Sequence, residues 1–174
     1  MDIKKVSQQE PWLRGTHQDL PAIVRAVVHA LEMTEEDVLT ACAPLGHDQL
    51  MAKPLGLTSV GFHIRHIAGS LDRLLTYAEG GELSAEQVAA MRSESEFEEF
   101  IEDWRDEFVA ELQRARTRVE AFARADLQEP RYVGRKRLPT TVGGLLVHCA
   151  DHSLRHVGQI VTTARAAVAQ RQSD

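Results

Sequence analysis

Between Phe97 and Phe122 the apolar residues Phe97, Ile101, Trp104, Phe108, Leu112, Ala115, Val119 and Phe122 recur three or four positions apart. At about 100° per residue they fall within one narrow sector of a helical wheel. A seam of that period is buried by packing against other helices at crossing angles near ~20°. It could instead serve a dimer, with Trp104 and Phe108 at the contact, but a core is the commoner use of such a stripe. More than any other feature, this seam commits the chain to a helical bundle.

Three further periodic segments complete the set. The first spans about 19–44, with Ile23, Val27, Leu31, Val38, Cys42 and Leu45 on its apolar face. Pro21 suits its first turn, where a missing N–H costs nothing, and Pro44 and Gly46 stop it. A loop, GHDQLMAKPLGL, leads to Thr58 and Ser59, either of which can cap the next helix. That second helix, about 60–79, carries Val60, Ile64, Ile67, Leu71, Leu74 and Ala78 and ends at Gly80-Gly81. Ser84 with Gln87 reads as a capping box opening a short helix toward Met91. Ser95 with Glu98 repeats the device at the start of the third long helix, about 96–124. The pattern breaks between Asp126 and Pro139, where two prolines and Gly134 indicate a loop or a small hairpin. Thr140 or Thr141 caps the fourth helix, about 141–170. Strand alternation is absent elsewhere, so the expectation is an all-α, antiparallel four-helix bundle forming one domain over 1–174.

Composition supports a core of that size. A chain of 174 residues, 43% apolar and 26% charged, is globular rather than disordered. It buries roughly 70% of its unfolded surface without needing disulfides. A net charge of -6 argues against a nucleic-acid partner and against anionic membranes, both of which call for a basic field. The amino terminus has no apolar signal region and no stretch is long enough to span a bilayer. Cys42 and Cys149 lie on apolar faces and are expected to stay reduced. The cytoplasm is the expected compartment.

Five of the eight histidines fall in two short stretches, His63 and His66 in FHIRHIAGSLDR and His148, His152 and His156 in HCADHSLRHVGQ. Residues four apart on a helix share a face, and imidazole ligates zinc, nickel, iron and copper. His152 and His156 form such a pair at the edge of the apolar stripe of the fourth helix. Two rings there need partners, and a shared cation would satisfy both. A third ligand must come from the second helix, where His63 sits nearer the centre of the stripe and His66 toward its flank. Periodicity alone favours His63. A histidine on a bundle face is more often a hydrogen-bonded packing residue than a ligand, so spacing alone leaves both readings standing. Other patterns fit less well. The chain has no H-E-x-x-H, no Glu-x-x-His and no C-x-x-C, and HCADH matches H-x-x-E-H only with aspartate for glutamate.

At these residues the chain resembles the DinB superfamily, the metal-binding four-helix bundles also called DinB/YfiT-like. The resemblance rests on Ser59 followed by His66 seven residues on, and on His152 and His156 followed by Val157, Gly158 and Gln159. Helix order and lengths agree over nearly the whole chain. Val157 stands where relatives commonly have arginine, and His63 and His148 are additional. The resemblance implies that His66, His152 and His156 hold one divalent metal, with His63 and His148 as secondary candidates. Zinc or nickel is the first expectation, iron or manganese the second. Remaining coordination positions would face water or substrate, as in a catalytic site. Characterised relatives include S-transferases that use low-molecular-weight thiols and a mycothiol-dependent isomerase.

These readings lead to a metal-dependent thiol S-transferase or hydrolase acting on a small-molecule substrate, with a low-molecular-weight thiol as one candidate. Asp72, Arg73 and Asp151 are candidates for orienting the ligating imidazoles, although ordinary ion pairing is the simpler account of Arg73. Tyr77 is a candidate pocket wall, with packing the simpler role. Arg131, Arg135, Lys136 and Arg137 in the last loop could receive anionic groups, or be only solvated. Gly61, Gly69, Gly143, Gly144 and Gly158 flank the histidines and either leave room for substrate or let helices approach. The competing reading is a non-enzymatic bundle whose metal is structural or adventitious and which acts through partners or as a homodimer. A third is a stress-induced protein that keeps the fold of a lost activity.

Overall fold

The computed structural model describes residues 9–94 and 103–171. Six helices occur among them: α1 (Ala22–Cys42), α2 (His47–Met51), α3 (Val60–Ala78), α4 (Ala85–Ser93), α5 (Trp104–Glu120) and α6 (Val142–Arg171). Strands β1 (Pro130–Val133) and β2 (Leu138–Thr141) form a two-stranded antiparallel hairpin in which Tyr132 pairs with Pro139 and Arg131 with Thr140. The four long helices make the bundle. α6 packs on α1 and α3, and α5 packs on the same two helices from the other side. α1 and α3, the first two long helices, therefore stand diagonally across the bundle instead of side by side. The connection between them is long enough to cross its end, and it carries α2, which rests on α3 and α6.

Helix boundaries follow local chemistry. Ser59 caps α3, its Oγ accepting from the Phe62 N–H at 3.2 Å. At the other end Gly80 takes φ 84°, a conformation other residues adopt at a cost. Gly80 N–H bonds Tyr77 O at 3.0 Å and Gly81 N–H bonds Thr76 O at 2.9 Å, a Schellman closure. The capping box of Ser84 and Gln87 opens α4 as the spacing indicates. α5 continues as a 3-10 turn, Ala121–Arg124, so the apolar seam runs to Phe122 as expected. Thr141, not Thr140, caps α6 by accepting from Gly144 N–H at 3.0 Å. The Ser95–Glu98 box, Phe97 and Ile101 lie outside the described residues.

Several details differ from the sequence expectation, among them the third long helix, expected from about 96, since Asp103 takes the N-cap of α5 and that helix begins at Trp104. The GHDQLM stretch forms the short helix α2 rather than loop, opened by Gly46 with Gln49 reaching back to its N–H. Pro21 caps α1 instead of lying in its first turn. Ile23 is consequently in that first turn facing solvent, 42% exposed, while Val24 and Val28 are fully buried in its place. Leu75 similarly takes the core position expected of Leu74.

The core joins Val24, Val28, Leu31 and Val38 of α1 to Ile67 and Leu75 of α3, Phe108, Leu112 and Val119 of α5, and Leu146 and Ile160 of α6. Each large apolar side chain buried this way contributes about 1.5–3 kcal/mol. Trp104 and Phe108 are both within this core, so the seam of α5 is spent on the bundle itself. Cys42 and Cys149 are free and buried, and burial pushes both thiols up to about 12. No described helix is long and apolar enough to cross a membrane.

Candidate metal centre

Where α3 meets α6, the rings of His66, His152 and His156 converge. One ring nitrogen from each lies within 4.8 Å of the other two. His66 Nε2 and His152 Nε2 are 3.3 Å apart, and the rings of His66 and His152 each stand 4.6 Å from that of His156. Two imidazoles on a tetrahedral zinc at about 2.0–2.1 Å place their nitrogens about 3.3 Å from each other. The donors therefore fit a divalent cation in type and in spacing.

The surroundings of His152 and His156 favour the neutral rings a metal needs. Burial, with His156 and His66 close by, pushes His152 down to about 4. Burial and the neighbouring His66 also lower His156. An unprotonated nitrogen is what a metal needs, and here burial first, then the neighbouring imidazoles, keeps protons off.

Behind His66 stands Glu94, at the end of α4. Burial alone would raise its carboxyl, but hydrogen bonds from His66 and Arg73 outweigh that and hold it below the usual range. An ionised carboxylate only accepts, so His66 Nδ1–H donates to Glu94 Oε2 at 2.8 Å. The tautomer is thereby set, and His66 Nε2 is left as a lone pair directed at His152. Arg73 Nη1 donates to the other oxygen of Glu94 at 2.6 Å, and Arg73 Nη2 donates to Ser70 Oγ at 3.1 Å. Phe62 stacks on the far side of the His66 ring at 5.4 Å, with planes 10° apart. Gly69 makes room for this arrangement: a Cβ there would lie 2.9 Å from both Arg73 Nη1 and Glu94 Oε1. Gly69 also lines a small cavity of about 230 Å³ beside Arg73 and Glu94.

His63, the choice of periodicity, lies outside the three-nitrogen group. It is buried at 4% exposure, pushed down to about 4 by burial with His156 and His66 nearby, and its Nδ1 is 3.0 Å from His156 Nδ1. It thus stands behind His156 much as Glu94 stands behind His66. His148 contacts the His152 ring at 5.5 Å but is half-exposed and also outside the group.

The other expected orienting groups fall elsewhere. Asp72 accepts from Arg118 at 2.8 Å and from Gln87 at 2.6 Å, and Asp151 pairs with Arg155 on the surface of α6. No contact of either carboxylate with His66, His152 or His156 is seen among the described residues, although Asp151 Oδ2 lies 3.8 Å from His148 Nδ1. Arg73 forms the inter-helix ion pair expected of it, and its partner, Glu94, is the carboxylate that bonds His66. Glu94 itself is absent from the sequence reading, since it lies 28 positions from His66 in a stretch without apolar periodicity.

A cleft of about 1240 Å³ opens beside the cluster, with His152 and His148 on its wall. Its other walls are the end of α3 with Tyr77, the α3–α4 turn, and the hairpin with Arg131, Arg135 and Arg137. Arg131 fixes the hairpin by donating from Nε to Ala78 O at 2.7 Å, and the Arg137 guanidinium lies 4.5 Å from the centre of the Tyr132 ring. Lys136 is not part of the lining.

A helical bundle whose long helices bring three imidazoles together beside a cleft defines the class as a histidine-clustered four-helix protein. The family model for the DinB superfamily matches residues 30–160, and the chain belongs to that superfamily. No curated protein matches it in sequence.

Proposed function

We propose that the chain is a metal-dependent enzyme, a thiol S-transferase or hydrolase, in which His66, His152 and His156 hold one divalent cation of the zinc or nickel type. One observation carries the reading: three imidazoles from two helices converge with ligand nitrogens within 4.8 Å of one another, and one of them, His152, lies on the wall of a cleft. When bound, such a cation lowers the pKa of a thiol or water and so supplies a nucleophile at neutral pH.

The chain's own residues do the positioning. Glu94 keeps the proton of His66 on Nδ1, and Arg73 keeps Glu94 ionised and in place. His63 fixes the ring of His156 through the Nδ1 contact, which leaves His156 Nε2 for ligation. Three imidazoles carry no charge, so the full charge of the cation acts on whatever enters the cleft. Arg131, Arg135 and Arg137 on the hairpin suit a substrate with carboxylates, which guanidinium groups bind in a fork. A small acidic thiol is such a molecule.

Elemental analysis of chelator-washed protein tests the reading, with His66→Ala and His152→Ala alongside. The wild type is expected to retain an equivalent of zinc or nickel that both variants lose. Thiol transfer to an alkylating electrophile, and ester hydrolysis, are then expected to depend on that equivalent. Metal content unchanged in both variants would instead favour the non-enzymatic bundle.

A further inference from the structure

The segment before α1 carries a second set of donors that the α3–α6 cluster does not use. From a 3-10 turn at Pro11–Leu13 the chain passes Arg14, Thr16 and His17 on its way to α1. Arg14 ties it down through both oxygens of Glu36, Nη1 to Oε1 at 2.6 Å and Nη2 to Oε2 at 2.7 Å. His17 then adopts φ 55°, a left-handed conformation costly for any residue with a side chain. Its Nε2 lies 2.8 Å from Glu32 Oε1. His29 and Glu32 are three apart on α1 and so share a face. His29 is buried, at 6% exposure, with Nε2 3.1 Å from Thr16 Oγ1 and its ring 5.5 Å from that of His17. One ligand atom from each of His17, His29 and Glu32 lies within 4.8 Å of the other two.

We propose that His17, His29 and Glu32 form a second divalent-cation site, of the zinc class, that fastens the N-terminal segment to α1. Two imidazoles and one carboxylate are a donor set zinc takes, with water in the fourth position. The His17–Glu32 contact needs to open by only about half an ångström to reach the separation of ligands on a tetrahedral zinc. Water has a route in, because His29 opens with Thr16 onto a depression of about 480 Å³. That depression shares no lining residue with the cleft beside His152. Arg25 on its rim works against a cation, and the ionised Glu32 among the donors opposes that effect. The His17–Glu32 and His29–Thr16 contacts already gather the three side chains, so the cation meets donors that are nearly in place.

Zinc uptake by equilibrium dialysis separates the two sites, using the full chain as wild type, His152→Ala, His17→Ala and the double variant. The expected stoichiometries are about two, one, one and zero equivalents, one per three-ligand set. Glu32→Gln is expected to behave as His17→Ala does, with circular dichroism checking that each variant keeps its helices. In the His152→Ala background, zinc is also expected to slow proteolysis ahead of α1, and Glu32→Gln to abolish that protection. Zinc that His17→Ala and Glu32→Gln both leave unchanged, or no protection in the His152→Ala background, overturns the proposal. A wild type that binds one equivalent, lost in His17→Ala but kept in His152→Ala, supports this site and removes the α3–α6 reading instead.

Discussion

At the α3–α6 cluster three imidazoles face one another and the carboxylate, Glu94, stands behind His66. At the N-terminal cluster the carboxylate, Glu32, stands among the donors themselves. The first set is neutral and rests on two long helices packed into the core. The second is anionic, and one of its three members comes from a segment outside the bundle. A neutral set leaves a cation's charge to act on a substrate, whereas a carboxylate ligand offsets part of it, which suits fastening better than activation. On the two proposals, placement of one acidic side chain, behind the rings or beside them, would separate a site suited to polarising a substrate from one suited to holding a segment.

The largest expected effect is at the neutral set. His152→Ala or His66→Ala should abolish metal retention there while far-UV circular dichroism shows the helices intact; stoichiometric metal surviving either change breaks the comparison. Next comes Glu94→Gln, which keeps an acceptor for His66 but removes the charge. Loss of an outer partner of this kind typically weakens metal binding about 10–100-fold, to be read by competition with a chelating dye. Unchanged affinity would mean that the carboxylate behind the ring contributes nothing. His63→Ala should weaken binding less than His66→Ala by the same assay, and the reverse order would make the buried ring the ligand.

A smaller effect is expected from acid. His63 and His152 are both held at about 4 in the folded chain against an ordinary 6.5. The unfolded chain therefore takes up their protons first, so metal-free protein should lose stability as pH falls from 6.5 toward 4, with no contribution above that range. Melting temperature across this range checks the sign, and His63→Gln should flatten part of the fall. Smallest of all, Arg14→Ala removes a partly exposed pair and should shift the midpoint of a denaturant titration only slightly. It should leave the affinity of the α3–α6 cluster unchanged, because separate sites act independently.

The sequence made the bundle legible through its strongest periodicities. The α5 seam from Trp104 onward, the Ser59 cap and the Gly80 stop stand where spacing places them. α2 escaped because five residues are too few to show a period and Gly46 is a weak start signal. The choice between His63 and His66 shows a limit of the helical wheel. Periodicity ranks residues by burial, and His63 is the more buried of the two. The group that can meet a cation beside solvent sits instead at the flank of the stripe, where His66 is. Glu94 and the His17–His29–Glu32 group were illegible for another reason: each joins residues from separate segments, and no local pattern announces such a meeting.

The hairpin is anchored by Arg131 on Ala78 O and by Gly143 N–H on Leu127 O at 2.8 Å, where a Cβ would already press on that oxygen at 3.0 Å. None of these anchors belongs to the histidine cluster. Its tip, with Gly134 at φ 68° and Arg137 at φ 48°, lies in solvent. Inheritance can therefore act on the two parts separately. Under the proposed function, substitutions in the tip would change the wall of the cleft and leave the imidazoles on α3 and α6 in place.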